Sequence, residues 1–194
     1  MPKVRVPSPA DRSRRACART GVGLRRRWIW VAVLALGLTV SFATMTRRSS
    51  AWKALISVGY PDVRWVDGET LSRWMNKTSD EVLVLVDART PEEQQVSHLR
   101  DARHLDASNP DIEALAIPAD ATVVVYCSIG YRSAIIVEQL TQAGVQNVYN
   151  LDGGLFEWAN QDRPIYRGEE QVHEVHRFNR IWGLLLRRDL RAED

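Results

Sequence analysis

Cysteine is scarce in this sequence, since its 194 residues contain only two, Cys17 and Cys127. Cys17 falls in a basic arm at the start of the chain, so the rest of the sequence holds a single cysteine, from which no disulfide framework can be built. No paired spacing of cysteine and histidine indicates a structural zinc site either. The position of Cys127 therefore needs an explanation of its own.

Basic residues are in the minority over most of the chain, and their excess is confined to its first 27 residues. Residues 1–27 carry nine Lys or Arg and one acid, Asp11, whereas residues 28–194 carry seventeen basic and twenty-three acidic side chains. The longer part also has no basic stripe interleaved with aromatic residues. This composition argues against nucleic acid as a partner.

Charge is absent altogether from residues 28–46, WIWVAVLALGLTVSFATMT. A helix of nineteen residues is about 28 Å long, close to the ~30 Å hydrocarbon core of a bilayer. Tryptophans stand at one edge of this segment, and the basic excess of residues 1–27 precedes it. The pattern predicts a single-pass membrane protein with a cytoplasmic N-terminus and an extracytoplasmic domain.

Two other interpretations of this segment stay open. Ser41-Phe42-Ala43 is a small-x-small cleavage candidate, so cleavage of a signal peptide near Ala43 would give a secreted protein. The arginine-rich, acid-poor start is also compatible with an organelle transit peptide. Residues 47–61 are predicted to be a juxtamembrane linker.

After residue 61 the sequence alternates between strand and helix patterns. The β-branched apolar runs at 82–86 and 122–126 predict strands that are buried on both faces. Shorter strands are predicted at 63–66, 102–105 and 148–151. Helices are predicted at 69–75 after the capping residue Asp67, at 91–98, at 133–143 before Gly144, and at 155–160. This alternation predicts an α/β fold with a central parallel sheet and helices on both faces.

Cys127 opens the stretch Cys-Ser-Ile-Gly-Tyr-Arg-Ser, between a predicted strand and a predicted helix. Backbone N–H groups converge at such a loop, and together with the cation of Arg132 they would stabilise a thiolate. Gly130 permits the tight turn, and Ser133 is predicted to cap the helix. The alternative is a buried cysteine that only packs in the core.

Four motifs, in this order, resemble the rhodanese-like sulfurtransferases. They are Asp87-Ala-Arg89-Thr-Pro-Glu-Glu93 after an apolar strand, His98-Leu99 with Ala102, the Cys127–Ser133 loop, and Gly153-Gly154-Leu-Phe-Glu-Trp158. The resemblance covers residues 62–165 and implies a rhodanese-like three-layer domain. Ser97 and Asp101 stand where the family usually has glycines, and Gln95 stands where an aromatic residue is common.

The resemblance implies an enzyme that moves sulfane sulfur from a small anionic donor such as thiosulfate to a thiol or to cyanide. Cys127 would carry the sulfur as a persulfide, with no metal and no organic cofactor. The related phosphatases and arsenate reductases place five residues between Cys and Arg, whereas four occur here, which favours sulfur transfer. Asp87 and Arg89 would support the loop through an ion pair. The persulfide would lie in a cradle formed by Ser128, Ile129, Gly130, Tyr131, Arg132 and Ser133.

The alternative function is a tethered rhodanese-like module that binds a partner, or senses sulfur or oxidants through Cys127, without catalysis. Beyond the domain, apolar residues of the segment 166–194 recur at helical spacing and predict an amphipathic helical tail. It would pack on the domain or lie at a membrane surface. His173 and His176 have a spacing that could bind metal on a helix, but no third ligand accompanies them.

Overall fold

The computed structural model describes residues 52–77 and 81–193, which belong to a compact unit spanning Arg47–Asp194. The predicted anchor at residues 28–46 and the arm before it lie outside the described ranges. Within those ranges, no helix combines the length and the apolar character that crossing a bilayer requires.

A five-stranded parallel sheet forms the centre of the unit. Its strands are β1 Trp65–Val66, β2 Leu83–Asp87, β3 Arg103–His104, β4 Thr122–Tyr126 and β5 Asn147–Leu151. They lie side by side in the order β1-β5-β4-β2-β3. The two predicted apolar runs are the neighbours β2 and β4, with Val84 opposite Val123 and Val86 opposite Val125.

Helices cover both faces of this sheet, as predicted. They are α1 at residues 52–59, α2 Gly68–Met75, α3 Pro91–Val96, α4 Tyr131–Gln142 and α5 Gly154–Asn160. Successive side chains of a strand point to opposite faces, so Val123 and Val125 pack in one apolar cluster with α4 and with Ile56 of α1. Val124 and Tyr126 pack in the other cluster, with apolar residues of α2 and α5.

The helix ends follow local sequence signals, with one exception. Asp67 accepts a hydrogen bond from the Thr70 amide and so caps α2. Gly144 follows α4 in the left-handed region, at φ +93°. The prediction that Ser133 caps the next helix is wrong, because α4 already begins at Tyr131, after Gly130 at φ +103°. Ser133 therefore lies inside the first turn.

The C-terminal tail differs from the predicted amphipathic helix. It starts with an antiparallel hairpin, β6 Ile165–Arg167 and β7 Glu170–Val172, and continues through short 3-10 turns at Trp182–Leu185 and Arg188–Leu190. Val175, Leu186 and Leu190 are buried in the core cluster of α2 and α5. Tertiary packing of these three residues overrides the helical periodicity of the segment.

Candidate active site

Cys127 lies directly after β4, at the carboxyl end of the parallel sheet and before α4. Its side chain is only 1% exposed. The Gly130 amide is 3.2 Å from the Cys127 sulfur, and the Ser133 hydroxyl is 3.5 Å from it. Both groups are donors, and the amino end of α4 adds its partial positive charge, so the loop is arranged to hold negative charge on sulfur.

Arg132 is bound by Glu93, which belongs to the first family motif but to which the sequence analysis gave no role. Its guanidinium donates two hydrogen bonds to Glu93 of α3, at 2.6 and 2.8 Å, and one to the Ser128 hydroxyl at 3.0 Å. Ser128 in turn donates to Glu93 at 2.7 Å. Thr90, Glu93, Ser128 and Arg132 thus join the start of α3 to the cysteine loop, since Glu93 also completes the capping box with Thr90.

The charges of this pair stabilise one another. Burial alone would raise the pKa of Glu93, but hydrogen bonding and attraction to Arg132, together with the Ser128 hydroxyl, lower it to about 2. Burial opposes the charge of Arg132 as well, and the Glu93 carboxylate and the nearby Cys127 outweigh it, so the pKa of Arg132 is raised. The cation that the sequence predicted beside Cys127 is therefore present, but it is neutralised by Glu93.

Hydrogen bonds from the Asn150 side chain of β5 and from backbone amides of α5 fix the shape of the loop. The Asn150 side-chain amide donates to the Gly130 carbonyl at 2.8 Å. The Leu155 and Phe156 amides donate to the carbonyls of Cys127 and Ser128, at 2.8 and 3.0 Å. Gly154 makes this approach possible, because a Cβ atom at that position would lie 2.4 Å from the Cys127 carbonyl oxygen. The sequence analysis missed Asn150. The only local sign of its role is that a polar residue stands between Tyr149 and Leu151 in β5.

Asp87 and Arg89 form the predicted ion pair, with both side chains fully buried and 2.6 Å between Nη2 of Arg89 and Oδ2 of Asp87. The Tyr126 hydroxyl donates to Asp87 at 2.9 Å, and Arg89 donates to the Ser97 carbonyl at 2.6 Å. Burial, followed by the charge of Asp87, raises the pKa of Tyr126. The pair therefore positions Tyr126, the last residue of β4, and the segment after α3. Tyr126 directly precedes Cys127, so the pair supports the loop from its first flanking residue.

Asp101, Ser97 and Gln95, the three residues that depart from the family pattern, differ in conformation and burial. Asp101, which stands where glycine is usual, adopts φ +58° in the left-handed region that favours glycine. Ser97 is buried and extended, at φ −167°, a conformation that any residue adopts. Gln95 is exposed on α3.

A cavity of about 560 Å³ opens above Cys127. The cysteine loop contributes its floor, and Ile129 and Tyr131 of that loop also line the cavity. The opposite walls come from α1 and from the tail, neither of which the sequence analysis placed at the site. The lining residues are Trp52, Leu55, Ile56, Gly59, Tyr60, Cys127, Ser128, Ile129, Tyr131, Arg132, Phe178 and Trp182.

Aromatic contacts hold these walls together. Trp52 of α1 and Trp182 of the tail meet edge to face, with 5.0 Å between ring centroids. Tyr60 and Tyr131 meet in the same way at 6.1 Å. Phe178, at φ +62°, places its ring 5.0 Å from the Arg132 guanidinium carbon. The two segments that flank the domain in sequence therefore meet over the cysteine loop.

The histidines lie away from Cys127. His98 contacts the Leu99 carbonyl and the Gly168 amide through its two ring nitrogens, and His104 contacts the Arg89 carbonyl. His173 and His176 lie in the tail, which is not helical there. Across residues 52–77 and 81–193, no group of three or more His, Cys, Asp or Glu side chains is arranged to hold a metal ion.

Comparison with known families gives one match. The model of the rhodanese-like domain matches residues 69–161. This range contains β2, β4, the cysteine loop and α5. It leaves out α1 and the tail, which form the far walls of the cavity.

Several curated proteins are similar in sequence. A sulfurtransferase from Allochromatium vinosum is 38% identical over 107 residues, which are 55% of this chain and 98% of that protein. The thiosulfate sulfurtransferase GlpE from Pseudomonas aeruginosa is 35% identical over 91 residues, which are 47% of this chain and 79% of that protein. The probable adenylyltransferase/sulfurtransferase MoeZ from Mycobacterium tuberculosis is 33% identical over 96 residues, but the chain spans only 24% of its length.

Solved structures share the fold. A thiosulfate sulfurtransferase from Pseudomonas aeruginosa superposes with a TM-score of 0.53 at 21% identity, over 62% of this chain and 23% of that one. A protein from Bacillus halodurans superposes with a TM-score of 0.50 at 17% identity, over 70% of this chain and 97% of that one. At these identities the likeness concerns the fold alone, and it confirms the predicted α/β architecture.

Proposed function

The chain belongs to the rhodanese-like domain family, and on that premise we propose that it is a sulfurtransferase whose Cys127 carries the sulfur in transit. The observation that carries this proposal is the setting of the Cys127 sulfur. It lies at the floor of a cavity and faces two donors, the Gly130 amide at 3.2 Å and the Ser133 hydroxyl at 3.5 Å. Such a setting suits a sulfur nucleophile that is negatively charged both before and after it takes up a second sulfur.

The first half of the proposed reaction loads the enzyme. The Cys127 thiolate attacks the outer sulfur of a donor such as thiosulfate, and a new S–S bond forms. The S–S bond of thiosulfate breaks, and sulfite leaves with the bonding electron pair. The product is a Cys127 persulfide anion, so charge is conserved without proton transfer.

The second half unloads it. A nucleophilic acceptor, a thiolate or cyanide, attacks the outer sulfur of the Cys127 persulfide. The S–S bond breaks, the acceptor leaves as its persulfide or as thiocyanate, and Cys127 returns as a thiolate. The loop donors hold negative charge at sulfur throughout, and ping-pong kinetics follow from the covalent intermediate. Ser128, Ile129, Gly130, Tyr131, Arg132 and Ser133 would surround the persulfide.

The test is the intact mass of the full-length chain, purified in detergent, before and after incubation with thiosulfate. We expect a gain of one sulfur atom that cyanide removes. The chain supplies a matched control, since it has two cysteines: Cys17→Ser should still gain the sulfur, and Cys127→Ser should not. A folded wild-type protein that gains no sulfur from thiosulfate or from an organic persulfide would overturn the proposal and favour the non-catalytic binding or sensing module.

We also propose that residues 28–46 anchor the domain to the extracytoplasmic side of a membrane. The support is the uncharged length of this segment and the basic excess before it. The undigested chain should sediment with the membranes, and a protease given access to the extracytoplasmic face, for example in spheroplasts, should digest the domain. Recovery of a soluble chain that begins after Ala43 would favour signal-peptide cleavage instead, and full protection of the domain would contradict both.

A further inference from the structure

The cavity above Cys127 is apolar beyond what a small anion needs. Its walls are formed mainly by hydrocarbon and aromatic groups from α1 and the tail, among them Trp52, Leu55, Phe178 and Trp182. At about 560 Å³ it lies within the range of pockets that enclose organic ligands with several apolar groups. Thiosulfate would contact the polar floor and leave these walls unused.

The charge of the cavity is also unsuited to the selection of an anion. Arg132 alone is charged among the described residues that line it. Its guanidinium makes two hydrogen bonds to the Glu93 carboxylate, and the Phe178 ring covers it at 5.0 Å. A cation that already has a buried carboxylate as partner attracts a further anion weakly. The described lining therefore offers a ligand mainly apolar contacts, and its one cation is already paired with Glu93.

The mouth of the cavity is apolar as well. Leu55 is 62% exposed, Tyr131 51% and Phe178 47%, and all three belong to the lining. Because Cys127 is only 1% exposed, an acceptor that reaches its sulfur passes these side chains. An acceptor with an apolar group would exchange water for contact with them, which stabilises its bound state.

We propose that this cavity selects thiols that carry an aromatic or branched alkyl group, and the persulfides of the same thiols. This inference rests on the proposed sulfurtransferase function and names its substrate class. A thiol and its persulfide are the acceptor and the product of the same transfer. The thiolate of the acceptor attacks the outer sulfur of the Cys127 persulfide and leaves as its own persulfide, and Cys127 returns as a thiolate. The S–S bond broken on the protein is replaced by one on the acceptor, and no oxidant or reductant is consumed.

The test separates the two steps. The full-length chain is loaded with thiosulfate, and loading is quantified by release of thiocyanate with cyanide. Single-turnover loss of the persulfide is then measured with 2-phenylethanethiol and with 2-mercaptoethanol, two primary alkyl thiols that differ in their apolar group. We expect the apolar thiol to react at least about tenfold faster at equal thiolate concentration, the size of effect that apolar pocket contacts have on discrimination.

Two exposed aliphatic residues give matched variants. Leu55 lines the cavity, whereas Ile181, which is 75% exposed, does not. Leu55→Ser should reduce the preference for 2-phenylethanethiol by about threefold or more, and Ile181→Ser should leave it unchanged. Equal rates for the two thiols in a protein that loads and releases sulfur normally, or equal effects of the two variants, would overturn the inference. A protein that never loads contradicts the proposed function instead.

Discussion

Glu93 of α3 binds Arg132 of the cysteine loop: its carboxylate is 1% exposed and accepts two hydrogen bonds from the guanidinium, at 2.6 and 2.8 Å. The two residues come from the starts of α3 and α4, and both contact the Ser128 hydroxyl. Two hydrogen bonds between a guanidinium and a carboxylate fix orientation as well as distance. The pair therefore determines both the position of the loop and the net charge beside Cys127.

Loss of the Glu93 charge should make the site more attractive to anions. Glu93→Gln keeps the size of the side chain and one accepting oxygen, but it removes the charge that compensates Arg132 and turns an NH2 group toward groups that donate to Glu93. We expect the KM for thiosulfate to fall by roughly threefold to tenfold at low ionic strength, and this gain to shrink as salt is added. Steady-state kinetics at two ionic strengths would measure both effects.

The control for this variant is the neighbouring carboxylate. Glu92 lies on the same helix but is exposed. Glu92→Gln changes the net charge of the protein by the same amount without touching Arg132, so it should leave the KM for thiosulfate nearly unchanged. Identical effects of the two substitutions would show that overall charge, and not the Glu93–Arg132 pair, governs anion binding.

The same pair should make the stability of the domain depend on pH in acid. The pKa of Glu93 is about 2 in the folded protein against an ordinary value of 4.5, so folding favours the ionised form. Its contribution is fully present above about pH 4.5 and is lost as the pH falls toward 2. The difference amounts to about 3 kcal/mol at most.

Urea unfolding between pH 6 and pH 2 would measure this contribution. The free energy of unfolding of the wild type should fall faster with acid than that of Glu93→Gln, and the gap between the two should close near pH 2. Hydrogen bonds to its own backbone amide and to Thr90 also lower the pKa of Glu92, but Glu92 is exposed, so Glu92→Gln should depart from the wild-type curve less than Glu93→Gln does. Parallel curves for the wild type and Glu93→Gln would contradict the prediction.

Gly154 should tolerate no side chain, because of its contact with the cysteine loop. Its φ is +58°, and a Cβ would lie 2.4 Å from the Cys127 carbonyl oxygen and 2.8 Å from the carbonyl of Ser128. Gly154→Ala therefore adds a clash with backbone to the cost of the left-handed conformation. We expect it to lose roughly 3 kcal/mol of stability or more and to slow persulfide formation.

Gly168 separates these two causes. It has the same φ of +58°, but a Cβ there would meet nothing within 4 Å. Gly168→Ala should cost only about 1 kcal/mol and leave persulfide formation intact. Thermal unfolding together with the mass assay would compare the two variants, and equal losses would mean that conformation alone, and not the approach to the loop, sets the requirement for glycine.

The sheet and its helices could be predicted from the sequence because their signals are local. The β-branched runs of β2 and β4 are buried on both faces, and residues such as Asp67 and Gly144 mark helix ends within a turn of where they act. Ser133 was misjudged because a serine near a helix start suggests a cap, whereas the left-handed Gly130 had already turned the chain into the helix.

The parts of the site that escaped prediction depend on residues far apart in sequence. Glu93 meets Arg132 from thirty-nine positions away, and Asn150 meets the Gly130 carbonyl from twenty. The capping box with Thr90 explains why a glutamate occurs at position 93. The sequence therefore gives no reason to expect that Glu93 also contacts the cysteine loop. The walls from α1 and the tail lie outside the family motifs, so the resemblance could not indicate them.

The buried side-chain amide of Asn160 should help to hold the tail on the domain, beside the apolar packing of that segment. The Asn160 side chain donates to the Leu185 carbonyl at 2.8 Å and accepts from the Arg187 amide at 2.9 Å. Asn160→Ala leaves both partners unsatisfied and should cost about 1–3 kcal/mol. The measurement is trypsin cleavage after the exposed Arg188, which should become faster, together with urea unfolding.

An exposed asparagine of the same tail provides the comparison. The Asn179 side chain accepts from the nearby amides of Ile181 and Trp182, within its own turn. Asn179→Ala should therefore change stability by less than about 0.5 kcal/mol and leave cleavage after Arg188 near the wild-type rate. Because Phe178 and Trp182 line the cavity, release of the tail by Asn160→Ala should also weaken the preference for apolar thiols. If cleavage accelerated while that preference stayed the same, the tail would be a docked segment without a part in substrate selection.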